Sequence, residues 1–181
     1  MKRFLAGLTV AAVAAIGFGG VAASASASNL QTFGTGTVTI TGADSATIHL
    51  TASDQYGGVY INSKSQSAKP LSAVHFSFVS TRDVTGGAPR FSIPIDTDGV
   101  GGTVEGYAFL DAAGCGGVSG ETTEVSTSSS ICHVNFLSVD YANWAAFADV
   151  NPTYRIAPGA IPFIIADGST GKYAVEGIDL R

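Results

Sequence analysis

Asp96-Thr97-Asp98-Gly99 is the stretch of this chain best equipped for chemistry. Carboxylates at i and i+2 ahead of a glycine turn offer hard oxygen ligands that can wrap Ca²⁺. Glu105 or Asp111 would complete an irregular site, so calcium is the cofactor this spacing suggests. The EF-hand pattern is not met. Val100 stands where a third oxygen ligand belongs, and Tyr107 where the acid of the twelfth position belongs. The same residues also make an ordinary solvated turn, because Asp and Gly are turn formers.

A second candidate chemistry is stacking. Tyr56, Tyr60, Tyr107 and Tyr154 fall outside the obvious core parity. A flat apolar ring beside hydrogen-bonding groups is what a sugar face requires. Tyr56, Tyr60, Tyr154 and Arg155 are therefore the candidate ligand-binding residues, with the polar loop Asn62 to Lys69 nearby. Against this, Tyr is a common strand residue that packs its ring and wets its hydroxyl. Trp144 lies on an apolar stripe and reads as core.

Catalytic motifs are mostly absent. Gly117-Val118-Ser119-Gly120 falls one residue short of G-x-S-x-G, and there is no H-E-x-x-H. No His among His49, His75 and His133 adjoins an acid in sequence. Triad members need not be close in sequence, so one assembled in space stays open. A cleft holding His with a carboxylate would raise an enzyme; otherwise the sequence leans away from one.

The compartment is set by the first 27 residues. Lys2 and Arg3 precede the uncharged apolar run Phe4 to Val21, and Ala23-Ser24-Ala25 and Ala25-Ser26-Ala27 offer small-x-small cleavage sites. This predicts a secretory signal peptide over 1–27, with one domain over 28–181. Losing Lys2 and Arg3 takes the formal net charge from −5 to −7. So acidic a protein is not expected to bind nucleic acid phosphates or an anionic membrane surface. Cys115 and Cys132 are the only cysteines. In an exported chain they are expected to form one disulfide. It would close a loop of ~17 residues, worth roughly 3 kcal/mol by the chain-entropy account.

These residues are held by strands. Val38 with Ile40, and Ile48 with Leu50, alternate with Thr and His around a 41–45 hairpin loop. That is the pattern of half-buried antiparallel strands. Gly57-Gly58 reads as a turn before Val59-Tyr60-Ile61. Strands follow over Val74 to Val79, Phe91 to Ile95, Thr103 to Leu110 and Ile131 to Leu137. Pro94 suggests an edge position or a bulge. Ile161 to Ala166, apolar on both parities, reads as a central strand buried on both faces. Asp167 to Gly171 reads as a hairpin loop. The last strand changes phase at Glu176-Gly177, where a bulge would return Tyr173, Val175, Ile178 and Leu180 to one face. Tyr141, Trp144 and Phe147 at three- to four-residue spacing predict one short helix near 140–149, stopped by Asn151-Pro152. The fold class is thus all-β, an antiparallel β-sandwich of jelly-roll or similar Greek-key topology.

From Val74 to Leu180 the chain resembles a group of small secreted bacterial β-sandwich proteins without an assigned activity. The resemblance rests on Gly87-Ala88-Pro89-Arg90-Phe91, Gly114-Cys115, Trp144 with Phe147, and Asp167-Gly168 followed by Gly171-Lys172-Tyr173. It implies a sandwich and names no substrate.

The expected function is a secreted, non-catalytic binding module whose partner is an extracellular glycan, with calcium as a structural ion. A structural or surface-interaction protein of the cell exterior is the alternative, and a secreted hydrolase comes third.

Overall fold

A computed structural model describes residues 29–62, 66–99 and 102–181. The expected leader, part of the 62–69 loop, and Val100 with Gly101 lie outside the described residues.

The described chain forms two antiparallel sheets. The larger contains β1 (Leu30–Gly34), β4 (Tyr56–Ile61), β12 (Phe163–Asp167), β6 (Arg90–Asp96), β7 (Gly106–Asp111), β9 (Val134–Phe136) and β10 (Val139–Tyr141), in that spatial order. β11 (Arg155–Ile156) pairs with the end of β6. The smaller runs β2 (Thr37–Ile40), β3 (Ala46–Leu50), β13 (Gly171–Leu180), β5 (Phe76–Arg82) and β8 (Thr123–Ser126). This is an all-β sandwich with one short helix, α1 (Trp144–Val150).

The alternation read from the sequence builds the core. Phe76 and Phe78 of β5 face Phe91 of β6, with ring centroids 5.9 and 4.9 Å apart, and all three are fully buried. Each such ring contributes about 1.5–3 kcal/mol relative to exposure. Ile93, Ile95, Leu110, Val125 and Val175 extend the same layer. The helix starts at Asn143, whose side chain accepts the Ala146 N–H, and buries Trp144 and Phe147. Trp144 is core as expected, and its Nε1–H donates to Leu71 O at 2.9 Å. The disulfide is formed, with Cys115 and Cys132 both buried. The β13 register shifts between Glu176 and Asp179, and Gly177 takes a φ of 59°. Ile178 and Leu180 then pack against the core that Val175 enters.

Several expectations are corrected. Gly57 and Gly58 are strand interior, not a turn. A Cβ on Gly57 would meet Ile48 Cγ2 at 3.1 Å, from the opposite sheet. One on Gly58 would meet Phe33 Cζ at 2.5 Å and collide with Ile164 O. The bare backbone admits close packing on both sides. Pro94 sits in a central strand rather than at an edge. Its carbonyl accepts the Ala157 N–H, so its absent N–H falls on the side where β12 has ended and β11 begins. The helix is shorter than its stripe, because Tyr141 belongs to β10. Asp167 to Gly171 does not close a hairpin; it carries the chain from the larger sheet to the smaller. β1, β8, β10 and β11 add to the strands expected from the sequence.

Candidate functional site

β12 explains the largest surprise on the surface. Its inner residues Ile164 and Ala166 are fully buried, whereas Phe163 and Ile165 are only half-buried on the outer face. The strand is apolar on both parities because its second face joins a sheet of rings, not a second core. Cross-strand pairing puts Phe163 beside Tyr60 on β4, and Tyr60 beside Gln31 on β1. Phe33 lies over Gly58, one pairing row away. Its ring is 4.4 Å from Tyr60, 5.5 Å from Phe163 and 6.2 Å from Tyr56. Tyr107 of β7 reaches across β6 to meet Phe163 at 5.4 Å. Five rings from four strands thus form a continuous surface, with Ser92 and Pro94 of β6 buried on the same face. Tyr56 is the most open, at 39 % exposure.

The polar rim of this face is also organised. Arg90 makes a bidentate ion pair with Asp167, at 2.8 and 2.6 Å, and its guanidinium lies 4.9 Å from the Phe109 ring centre. The pair neutralises itself, so it leaves no bare cation on the platform. At the neighbouring loop, the N–H and hydroxyl of Thr51 hold the Asp54 carboxyl below its usual pKa.

Of the expected ligand-binding residues, Tyr56 and Tyr60 are brought together through Phe33. Arg155 is on β11 beside Asp96 and ties its Nη1 to Pro152 O and Tyr154 O. Tyr154 is not part of the platform. Its ring packs half-buried against Phe136 and Phe147, at 5.8 and 6.1 Å. Phe33, Phe163 and Tyr107 complete the group. The apolar outer parity of β12 is the signal that could have found Phe163.

The acidic turn is occupied by its own backbone. Asp96 is buried and its Oδ1 accepts the Gly99 N–H at 2.7 Å. Glu105 accepts the Thr97 N–H at 2.9 Å and the Thr103 hydroxyl. Asp98 is exposed in the turn. Asp111 is corrected out of the group. It lies at the far end of β7 from Glu105, roughly 20 Å away at ~3.3 Å per residue, and it closes the turn to Gly114 at 2.7 Å. Among the described residues no group of three or more His, Cys, Asp or Glu is placed to hold a metal ion.

A cleft of ≈ 620 Å³ lies elsewhere, beside the disulfide. Cys115, Glu121, Glu124, Ser126, Ser128 and Ser130 are among its lining residues. The loop closed by the disulfide is therefore a wall as well as a connection.

In comparisons with known proteins, no family model matches this chain, and neither a curated protein nor a solved structure does. No helix among the described residues is long and apolar enough to cross a membrane.

Proposed function

We propose that this protein is an extracellular binding module that holds a neutral glycan on the outer face of its larger sheet. One observation carries this reading: Phe33, Tyr56, Tyr60, Tyr107 and Phe163 pack against one another, tilted or edge to face, on the outer side of the sheet, where Tyr56 is exposed and the other four are half-buried. Sugar rings present C–H faces that stack on aromatic rings, and Gln31 and the tyrosine hydroxyls offer hydrogen bonds beside them. The self-neutralised Arg90–Asp167 pair favours an uncharged polymer over an acidic one. The disulfide fits an oxidising compartment, in keeping with the expected leader.

Pull-down on cell-wall, cellulose, chitin and xylan preparations tests the reading. Retention on at least one is expected, and it is lost in Tyr60→Ala/Phe163→Ala. Retention on none overturns it.

The surface-interaction alternative draws on the opposite edge. Leu137 and Val139, beside and on edge strand β10, are 61 % and 51 % exposed. Capture of a protein partner that Val139→Lys abolishes would favour it.

A further inference from the structure

Ser128, His75 and Asp179 meet at one end of the smaller sheet. His75 immediately precedes β5, and its backbone exchanges two hydrogen bonds with Arg181, at 2.7 and 3.0 Å. Asp179 lies on β13 opposite Ser77. Ser128 follows β8. Its N–H donates to Ser126 Oγ at 3.1 Å, and the preceding residue, Thr127, exchanges two hydrogen bonds with Phe76. His75 and Asp179 are thus mounted on paired backbone, and Ser128 stands one residue beyond it. His75 Nδ1 is 2.8 Å from Ser128 Oγ. His75 Nε2 is 3.9 Å from Asp179 Oδ2.

The polarity of this arrangement is set by charge. The carboxylate beside Nε2 favours the tautomer that carries its proton on that nitrogen. The Nδ1 lone pair is then directed to the serine hydroxyl, within reach for proton transfer. Arg181 Nε stands 2.6 Å from the same Asp179 oxygen and anchors the carboxylate beside the ring. Ser128 lines the ≈ 620 Å³ cleft, so its hydroxyl has room for a reacting partner.

We propose that Ser128, His75 and Asp179 form an acyl-transfer site that hydrolyses short-chain esters of polar alcohols. Ser128 Oγ attacks the ester carbonyl carbon while its proton passes to His75 Nδ1. The bond to the alcohol oxygen breaks, and the same proton leaves with the alcohol. A water molecule then gives a proton to Nδ1 and attacks the acyl-serine, which releases the acid and returns the proton to Ser128. One water is consumed and nothing is oxidised or reduced. Asp179 acts as a positioning residue whose charge, 3.9 Å from Nε2, biases the ring and its tautomer without a direct hydrogen bond. The substrate class follows from the cleft. Serine and threonine hydroxyls line it with Glu121 and Glu124, which suit a polar, neutral or cationic ester and disfavour a fatty or anionic one. This site is separate from the ring platform, and either can fail without the other.

The test treats the oxidised protein with a fluorophosphonate probe, followed by peptide mass mapping, and assays p-nitrophenyl acetate in parallel. A single phosphonyl adduct on Ser128 is expected, with labelling slowed on the order of 100-fold in His75→Ala. Asp179→Asn is expected to lower kcat with KM unchanged, and Asp179→Glu to restore part of it. His49→Ala controls for surface imidazole chemistry and leaves both readouts unchanged. Ser128 is exposed and His75 and Asp179 are partly so, so an unchanged unfolding transition verifies each variant. Absence of an adduct, an adduct on another serine, or equal labelling in His75→Ala overturns the proposal. Ester hydrolysis that survives Ser128→Ala but falls in His75→Ala also overturns it, since imidazole alone would then be the catalyst.

Discussion

The two outer faces of the sandwich have the same architecture and opposite chemistry. On the larger sheet, outward positions of β1, β4, β12 and β7 carry Phe33, Tyr60, Phe163 and Tyr107. On the smaller sheet, outward positions of β2, β3, β13 and β5 pair Thr39 with Thr47, Thr47 with Ala174, and Ala174 with Thr81. His49 pairs with Thr37 and Lys172 in the neighbouring row. Burying one face of a sheet dictates only the inward set, so the outward set is free to differ. Here one outward face is built for ring contact, and the other is hydroxyl-rich and leads to Ser128 at its end. The cleft beside the second face is held by a covalent bond, whereas the first is held by the rings themselves.

The largest expected effect is on the covalently held side. Cys115→Ser/Cys132→Ser should lose roughly 3 kcal/mol of unfolding free energy, measured by urea titration, with platform binding intact when the protein is folded. Equal loss of glycan retention would show that the two faces are not independent.

Next is Gly58→Ala. The added methyl meets Phe33 and the Ile164 carbonyl. A cost of about 2 kcal/mol is expected, in the range of overpacking. Thr47→Ala, on the opposite face, should stay within about 0.5 kcal/mol. A neutral Gly58→Ala would mean that the Phe33 ring moves freely and that the platform is not ordered.

Third, Tyr60→Ala should weaken glycan binding about tenfold, equivalent to about 1.4 kcal/mol, in a depletion isotherm on whichever polysaccharide retains the protein. Tyr154→Ala should leave binding unchanged and lower the melting temperature, because that ring packs on Phe136 and Phe147. Reversal of these two results would move the site from the sheet face to the helix end.

The smallest effect concerns the acidic turn. Asp96→Ala leaves the Gly99 N–H without its acceptor, and a cost of about 1 kcal/mol is expected, equal in excess calcium and in chelator. A cost that appears only with calcium would restore an ion-holding role to Asp96 and Asp98.

Legibility in the sequence follows burial. Period-two alternation identifies β2, β3, β5 and β6, since one wet and one dry face leave a clear pattern. The bulge at Gly177 is readable because apolar residues can change phase and keep one face only if the strand gains an extra residue. The disulfide follows from two cysteines and the expected leader. What escapes is set by partners distant in the chain. The Gly57-Gly58 pair reads as a turn until Phe33 and Ile164 are known to occupy the space. β1 and β8 carry too few apolar residues to stand out, and they exist because β4 and β5 offer them hydrogen bonds. Tyr56 and Tyr60 are identifiable by parity alone. Phe163 reads as core, because local pattern cannot distinguish a second buried face from a ring-covered one. Ser128 and His75 are 53 residues apart, and nothing in their neighbourhoods links them.

The place of β13 has a consequence for the order of assembly. The last of the described strands sits in the middle of its sheet, between β3 and β5. A chain emerging from its N-terminus therefore holds both neighbours with open edges until the final strand arrives, and such long-range pairing folds slowly. Until then the hydroxyl-rich sheet is two separate hairpin-sized fragments. Removal of residues 171–180 should accordingly yield not a trimmed sandwich but a chain that never closes, vulnerable throughout its length to a protease.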